Sequence, residues 1–384
     1  MFRRVPLAWL QLSHQKGRLL TALAGITFAA VLMFVQFGFL DSLFDSATLL
    51  HRVIDGDLVL LNSRYESLIG ARTFSRRLLY QTQNHSALKS IAPMYLTLLS
   101  WKNPWQGNER SLLVIGIEPN QQLLKMPLAP EALAQLNQPG TVLFDDLARP
   151  EFGPVPENLR QGQRVFAELN RKRVEVKGLF SFGTSFSSDG TVITSEVTFR
   201  RLNDRKPDGG IELGVLKLAD SANVQQVKAD LVAMLPPEVM VLAREEFIAL
   251  EKKYWEDNSS IGFIFNLGVL MGFVVGIIIA YQILHSDVTM HLAEYATLKA
   301  MGYTDGYLTG VIFKESILLS VLGYGPALLV TWQLFTVTTK ATLLPMNLSW
   351  ERGAMVLLLC VLMCFVSGVI ALRKLRQADP AEVF

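Results

Sequence analysis

Charge and cysteine are both scarce in this chain, and each scarcity narrows what it can be. Only 18% of the 384 residues are charged, 50% are hydrophobic, and the mean hydropathy is +0.30. A soluble globular chain carries about 25% charged residues, so part of this one belongs in lipid. The net charge of +2 is too small to argue for nucleic acid or an acidic partner. The only cysteines, Cys360 and Cys364, share one apolar stretch. Four residues apart on a helix, their Cα atoms lie roughly 6 Å apart with poorly directed side chains, so they read as small apolar residues rather than a disulfide. The long segment from 41 to 257 has no cysteine, so disulfides do not hold it together.

Catalytic signatures are also missing. There is no G-x-x-x-x-G-K-[ST] loop to cradle nucleotide phosphates, no H-E-x-x-H, no C-x-x-C and no G-x-S-x-G. The histidines (His14, His51, His85, His285 and His291) have no ligand spacing, so the expectation is a chain that binds no metal or cofactor directly. Asp145–Asp146, at a plausible strand end, is expected to cap a helix N-terminus.

What is present is apolar length. Uncharged stretches of about 20 residues match the hydrocarbon core of a bilayer, and four occur, at 19–40, 259–284, 316–339 and 353–372. The first is too long for a signal-peptide core and lacks a small-residue cleavage site, so it is expected to be an uncleaved anchor. Arg3, Arg4, Lys16 and Arg18 precede the first span, and Arg373, Lys374 and Arg376 follow the fourth. The positive-inside rule then puts both termini in the cytoplasm, as residues 1–18, an amphipathic N-terminus, and the tail 373–384. The loop 285–315 is cytoplasmic, the loop 340–352 is short and external, and 41–257 is extracytoplasmic. The spans contain no buried charges of the kind that mark ion pathways. Gln36, Asn266 and Gln333 read as interhelical hydrogen-bonding residues.

The external segment reads as an α+β domain. Strands are expected at 57–61, 95–100, 111–117, 164–169, 173–180 and 214–218, with a hairpin turn at Asn170. Helices are expected at 74–83, 130–136, 224–235 and 244–255, the last forming a stalk that leads into the second span. The fold class is therefore a membrane protein of four transmembrane helices, one plus three, with a large α+β domain between the first and second.

Two features stand out. Gly268, Gly272 and Gly276 repeat by four on the second span, a spacing that lets another helix approach closely. Packing against the first span, where Gly25 and Ala29 share the spacing, and dimerisation are both open. In the cytoplasmic loop, residues 291–302 place Leu292, Tyr295, Leu298 and Met301 on one helical face, with Glu294 and Lys299 off it. Such a helix lies on lipid or seats in a groove on a cytoplasmic partner.

The stretches LAWLQLSHQKGRLLTALAGITFA at the N-terminus, EYATLKAMGYTDGYLTGVIFKESILL from Glu294 and ALRKLRQADPAEVF at the C-terminus resemble the MacB/FtsX-like permeases of ABC transporters. Without a fused ATPase domain, and at this length, the chain is most similar to the DevC subfamily. It departs from the usual Arg-Glu-Ile-Gly at Leu292-Ala293-Glu294-Tyr295-Ala296. The resemblance implies a homodimeric, non-catalytic exporter permease of the bacterial inner membrane. Segment 291–302 would be the coupling helix to a separate ATPase that holds the ATP. The mechanism implied is mechanotransmission, with a periplasmic adaptor, an outer-membrane channel and an amphiphilic cargo such as glycolipid. An FtsX-like regulator that drives a cell-wall hydrolase without transport is the alternative, and a membrane sensor is a further one.

Overall fold

The computed structural model describes residues 16–377, apart from 122, 127, 187, 204–208, 259, 292, 295, 296 and 298–300. The expected amphipathic N-terminus up to residue 15, and the tail beyond 377, lie outside the described residues. In chain order, α1 (Lys16–Ala47) and α2 (Leu49–Val53) precede β1 (Leu58–Asn62), β2 (Phe74–Ser75) and α3 (Arg76–Gln81). Then come β3 (Leu88–Lys102), β4 (Glu109–Ile117), α4 (Pro130–Gln135), β5 (Thr141–Asp145), α5 (Val155–Arg160), β6 (Val165–Leu169), β7 (Lys172–Phe180), β8 (Thr191–Ser195) and α6 (Glu196–Leu202). The sheet elements finish with β9 (Gly210–Ile211), β10 (Leu213–Leu218), α7 (Val224–Met234) and β11 (Val239–Ala243). The remaining helices are α8 (Arg244–Asn258), α9 (Ser260–Met290), α10 (Asp305–Thr342) and α11 (Trp350–Gln377). Two compact units result. One holds residues 1–42, 260–342 and 346–384, the other residues 43–259 with 343–345.

The helical unit contains α9, α10, α11 and most of α1. These four helices run to 32, 31, 38 and 28 residues for α1, α9, α10 and α11. At 1.5 Å per residue they reach about 42–57 Å, more than the ~30 Å hydrocarbon core, and all four are long and apolar enough to cross a membrane. They run past the uncharged windows, because a charge ends a span in lipid without ending a helix. Asp287 and Glu315, which flank the windows, therefore lie inside α9 and α10, and Glu315 is fully buried. The uncharged windows themselves stay free of charge; the buried acid lies just beyond one of them, where its helix continues. Interhelical side-chain hydrogen bonds come from residues other than Gln36, Asn266 and Gln333. Thr27 donates to the Gly323 carbonyl at 2.9 Å, Tyr324 to Gly353 at 2.8 Å and Ser367 to Ile277 at 2.8 Å. An Arg352–Asp41 ion pair joins α11 to α1.

The second unit is built on one nine-stranded sheet in the order β11-β1-β10-β3-β4-β8-β5-β7-β6. Its first four strands, with α3 and α7, make a β-α-β-β-α-β unit of ferredoxin-like order, and all three strand pairs are antiparallel. Everything from β4 to β8 is an insertion between β3 and β10. Within it β6 also pairs with β3, Trp101 opposite Leu169, so these strands close back on themselves. Both faces of the sheet are covered. Leu58 and Leu60 of β1 enter one core with Leu79 and Leu231, while Val59 and Leu61 enter another with Leu50 and Phe247. The helices α7 and α8 thus lie on opposite faces. At the β6–β7 hairpin, Asn170 and Arg171 take φ of 50° and 62°, as a two-residue loop matched to strand twist requires.

Candidate functional site

The glycine row lies along α1. A Cβ built on Gly268 would meet the Gln36 side chain, one on Gly272 would stand 3.2 Å from Met33 Cγ, and one on Gly276 would collide with Met363 and stand 3.1 Å from the Ala29 Cβ. A Cβ on Gly25 would strike Ile279, and Phe39 stacks on Phe265 with ring centroids 5.9 Å apart. Residue numbers rise along α1 as they fall along α9, so the two helices run antiparallel, with Gly276 facing Ala29 and the other glycines facing larger side chains. Each glycine removes the one atom that would hold the backbones apart.

In the loop after α9, Leu292, Tyr295, Leu298 and Lys299 lie outside the described residues. Ala293, Glu294 and Thr297 are helical and exposed. The Thr297 hydroxyl donates to the Ala293 carbonyl at 2.8 Å and the Met301 N–H to Thr297 at 3.0 Å. Met301 is 63% exposed. Gly302, at φ +92°, takes the left-handed conformation that ends a helix before α10 begins.

A third place was not anticipated. In the sheet unit the Glu251 carboxylate, 1% exposed, collects three donors. The Tyr65 hydroxyl donates at 2.9 Å, the Leu68 N–H at 3.0 Å and the Trp255 indole N–H at 3.1 Å. His51, fully buried, brings Nε2 to 3.3 Å. Phe247 lies 4.1 Å from the His51 ring, centroid to centroid, and closes the cluster. Burial, reinforced by Glu251, holds the Tyr65 phenol well above its ordinary value, so it stays a donor. The cluster ties α8, the helix that precedes α9, to α2, the helix that follows α1. A sequence signal for it existed. Phe247, Glu251 and Trp255 are spaced by four, an acid in the middle of an aromatic stripe.

Asp145 does not cap a helix. It ends β5, fully buried, and its carboxylate accepts the N–H groups of Leu147 at 3.1 Å, Phe182 at 2.9 Å and Gly183 at 3.0 Å, pinning the 181–183 loop. Burial pushes its carboxyl up to about 6 against those three donors, with the neighbouring Asp146 adding to the rise. Among the described residues no group of three His, Cys, Asp or Glu side chains could hold a metal ion. A polar cleft of about 520 Å³ in the sheet unit is lined by Ser100, Lys102, Glu109, Asn170, Arg171 and their neighbours.

Residues 261–380 match the family model of the FtsX-like permease C-terminal region. That match covers α9, α10 and α11. Among solved structures the chain is similar to the periplasmic region of MacB from Actinobacillus actinomycetemcomitans. Identity there is 13%, over 54% of this chain and 95% of that one, with a TM-score of 0.36. It is also similar to the extracellular domain of the noncanonical ABC-type transporter YknZ from Gram-positive bacteria. Identity is 9%, over 48% of this chain and 98% of that one, with a TM-score of 0.34. No curated protein matches.

Proposed function

We propose that the chain is a non-catalytic permease subunit of an ABC-type exporter and that it works by mechanotransmission. The observation that carries this reading is the permease match over 261–380, the stretch that contains the three C-terminal helices and the loop between two of them. In this reading the chain sits in the bacterial inner membrane with both termini cytoplasmic, as a homodimer of the DevC kind. A separate ATPase seats Leu292, Tyr295, Leu298 and Met301 in a groove, with Glu294 and Lys299 as polar contacts, and holds the ATP. Its closure displaces the loop and the helices on either side. The Gly268–Gly272–Gly276 seam makes α9 and α1 move as a pair. The Glu251 cluster receives that motion where both helices' neighbours in sequence, α8 and α2, are tied together. The sheet unit then acts on an amphiphilic cargo outside the membrane, delivering it to a periplasmic adaptor and an outer-membrane channel.

Purification of the intact complex followed by mass spectrometry tests this. An ATPase subunit together with an adaptor is the expected outcome. A cell-wall hydrolase in place of the adaptor would favour a membrane regulator, and the absence of any ATPase would contradict both.

A further inference from the structure

Glu315 is a carboxyl group with nowhere to place a charge. It lies on α10, is 0% exposed, and neither carboxyl oxygen has a hydrogen-bond partner. Among the described residues the charged group acting on it is of the same sign, Asp287 on α9. Asp287 keeps one oxygen, Oδ2, buried and unpartnered, and holds Oδ1 3.5 Å from His291 Nδ1. Arg18 on α1 and Glu294 act on Asp287, not on Glu315. Of its two neighbours in sequence, Lys314 is exposed, and the Ser316 hydroxyl gives its hydrogen to the Ile312 carbonyl at 2.9 Å. On α11, Gly368 sits so close that an added Cβ would stand 2.9 Å from the Ser316 oxygen. Its sequence neighbour Ser316 is thus closed in by α11, and Glu315 is itself fully buried within the chain.

A carboxylate ion taken out of water without a donor or a countercharge is strongly unfavourable, and a like charge beside it makes matters worse. The neutral acid escapes both costs. We propose that Glu315 is a proton-binding site of the helical unit, occupied while α9, α10 and α11 are packed as described and vacated when they separate. The step balances simply: the O–H bond of the carboxyl breaks, the proton passes to water, and a carboxylate remains that water can then solvate. Nothing in this depends on an ATPase or a cargo, so it stands apart from the permease reading.

The test uses the full-length chain in lipid nanodiscs, read by infrared spectroscopy at neutral pH. Wild type should show a protonated-carboxyl carbonyl band that is lost in Glu315→Gln and retained in Asp287→Asn and Glu294→Gln. If the Gln variant does not assemble, Glu315→Asp serves instead and should shift that band rather than delete it. Hydrogen exchange supplies a second readout. Raising the pH should speed exchange at amides around 309–319 in wild type beyond the intrinsic chemical rate, and Glu315→Gln, which cannot ionise, should lack the excess. The proposal is overturned if the substitution removes an ionised-carboxylate band or leaves the acid band untouched. Identical exchange profiles in the two proteins overturn it as well.

Discussion

Glu251 is buried among three donors and the His51 ring, and its removal is correspondingly costly. Truncation to Ala leaves the Tyr65 hydroxyl, the Leu68 amide and the Trp255 indole without their acceptor and the buried His51 ring without its carboxylate neighbour. Breaking a buried pair of this kind costs about 3–5 kcal/mol. We expect Glu251→Ala to raise amide exchange across α8 and to lower the unfolding midpoint of the full-length chain, while Gln, which keeps one acceptor, loses less. Unchanged exchange in α8 would remove the cluster from the account. At Asp145 the expected effect depends on pH. Its carboxyl is raised to about 6 by burial, above the value near 3.9 of an unfolded chain, so folding favours the neutral form. Its contribution is full below about pH 4 and is lost as the pH rises through 6, by at most about 3 kcal/mol. The stability of wild type relative to Asp145→Asn should fall over that window. A flat difference would show that the three amides outweigh the burial. The role of Asp145 was not written in local sequence. Asp145 stood at its strand end as expected, but the amides of Phe182 and Gly183 that it holds come from more than thirty residues away. Glu251 has acidic neighbours at Glu245, Glu246 and Glu256, and only the flanking aromatics set it apart.

Elements were legible where one period governed them. The four long helices declared themselves by apolar length, and the β6–β7 hairpin by Asn170 with strand-forming residues on either side. The strands β5 and β8 did not, because every residue in each is buried. A strand covered on both faces loses the alternation that reveals a half-exposed one. The closure of β6 onto β3 joins residues 68 apart and has no local signature. The glycine row showed its spacing in the sequence but not its partner, since packing within the chain and across a dimer use the same residues. With α1 as the neighbour, Gly276→Leu forces a side chain against Met363 and Ala29, an overpacking that costs about 1–3 kcal/mol. Gly325→Leu, whose Cβ would meet nothing within 4 Å, is the matched control. We expect a lower thermal midpoint in detergent for the first variant only. Equal tolerance would dissolve the seam.

For the whole molecule, the arrangement of one long helix, a two-faced sheet domain and three further helices followed from hydropathy and spacing alone, while orientation rests on Lys and Arg at the ends of the spans. Single cysteines at Asn170, Thr304 and Gln377, in a chain with Cys360 and Cys364 replaced, test that orientation with an impermeant thiol reagent. Only the cysteine at 170 should label in intact spheroplasts, and labelling at 304 would invert the topology. In the proposed function a separate ATPase takes hold at the loop after α9. Leu298→Asp sets a charge against an apolar groove, which desolvation makes strongly unfavourable. The variant should insert normally, keep the sheet unit folded, and bind the ATPase at least about tenfold more weakly, a loss of about 1.4 kcal/mol. The decisive measurement is the amount of ATPase retained when the two forms are purified side by side from the same membranes. Wild type holding its ATPase while Leu298→Asp releases it is the predicted result; equal retention, with transport intact, would contradict the coupling role and leave the loop as a helix lying on the lipid surface.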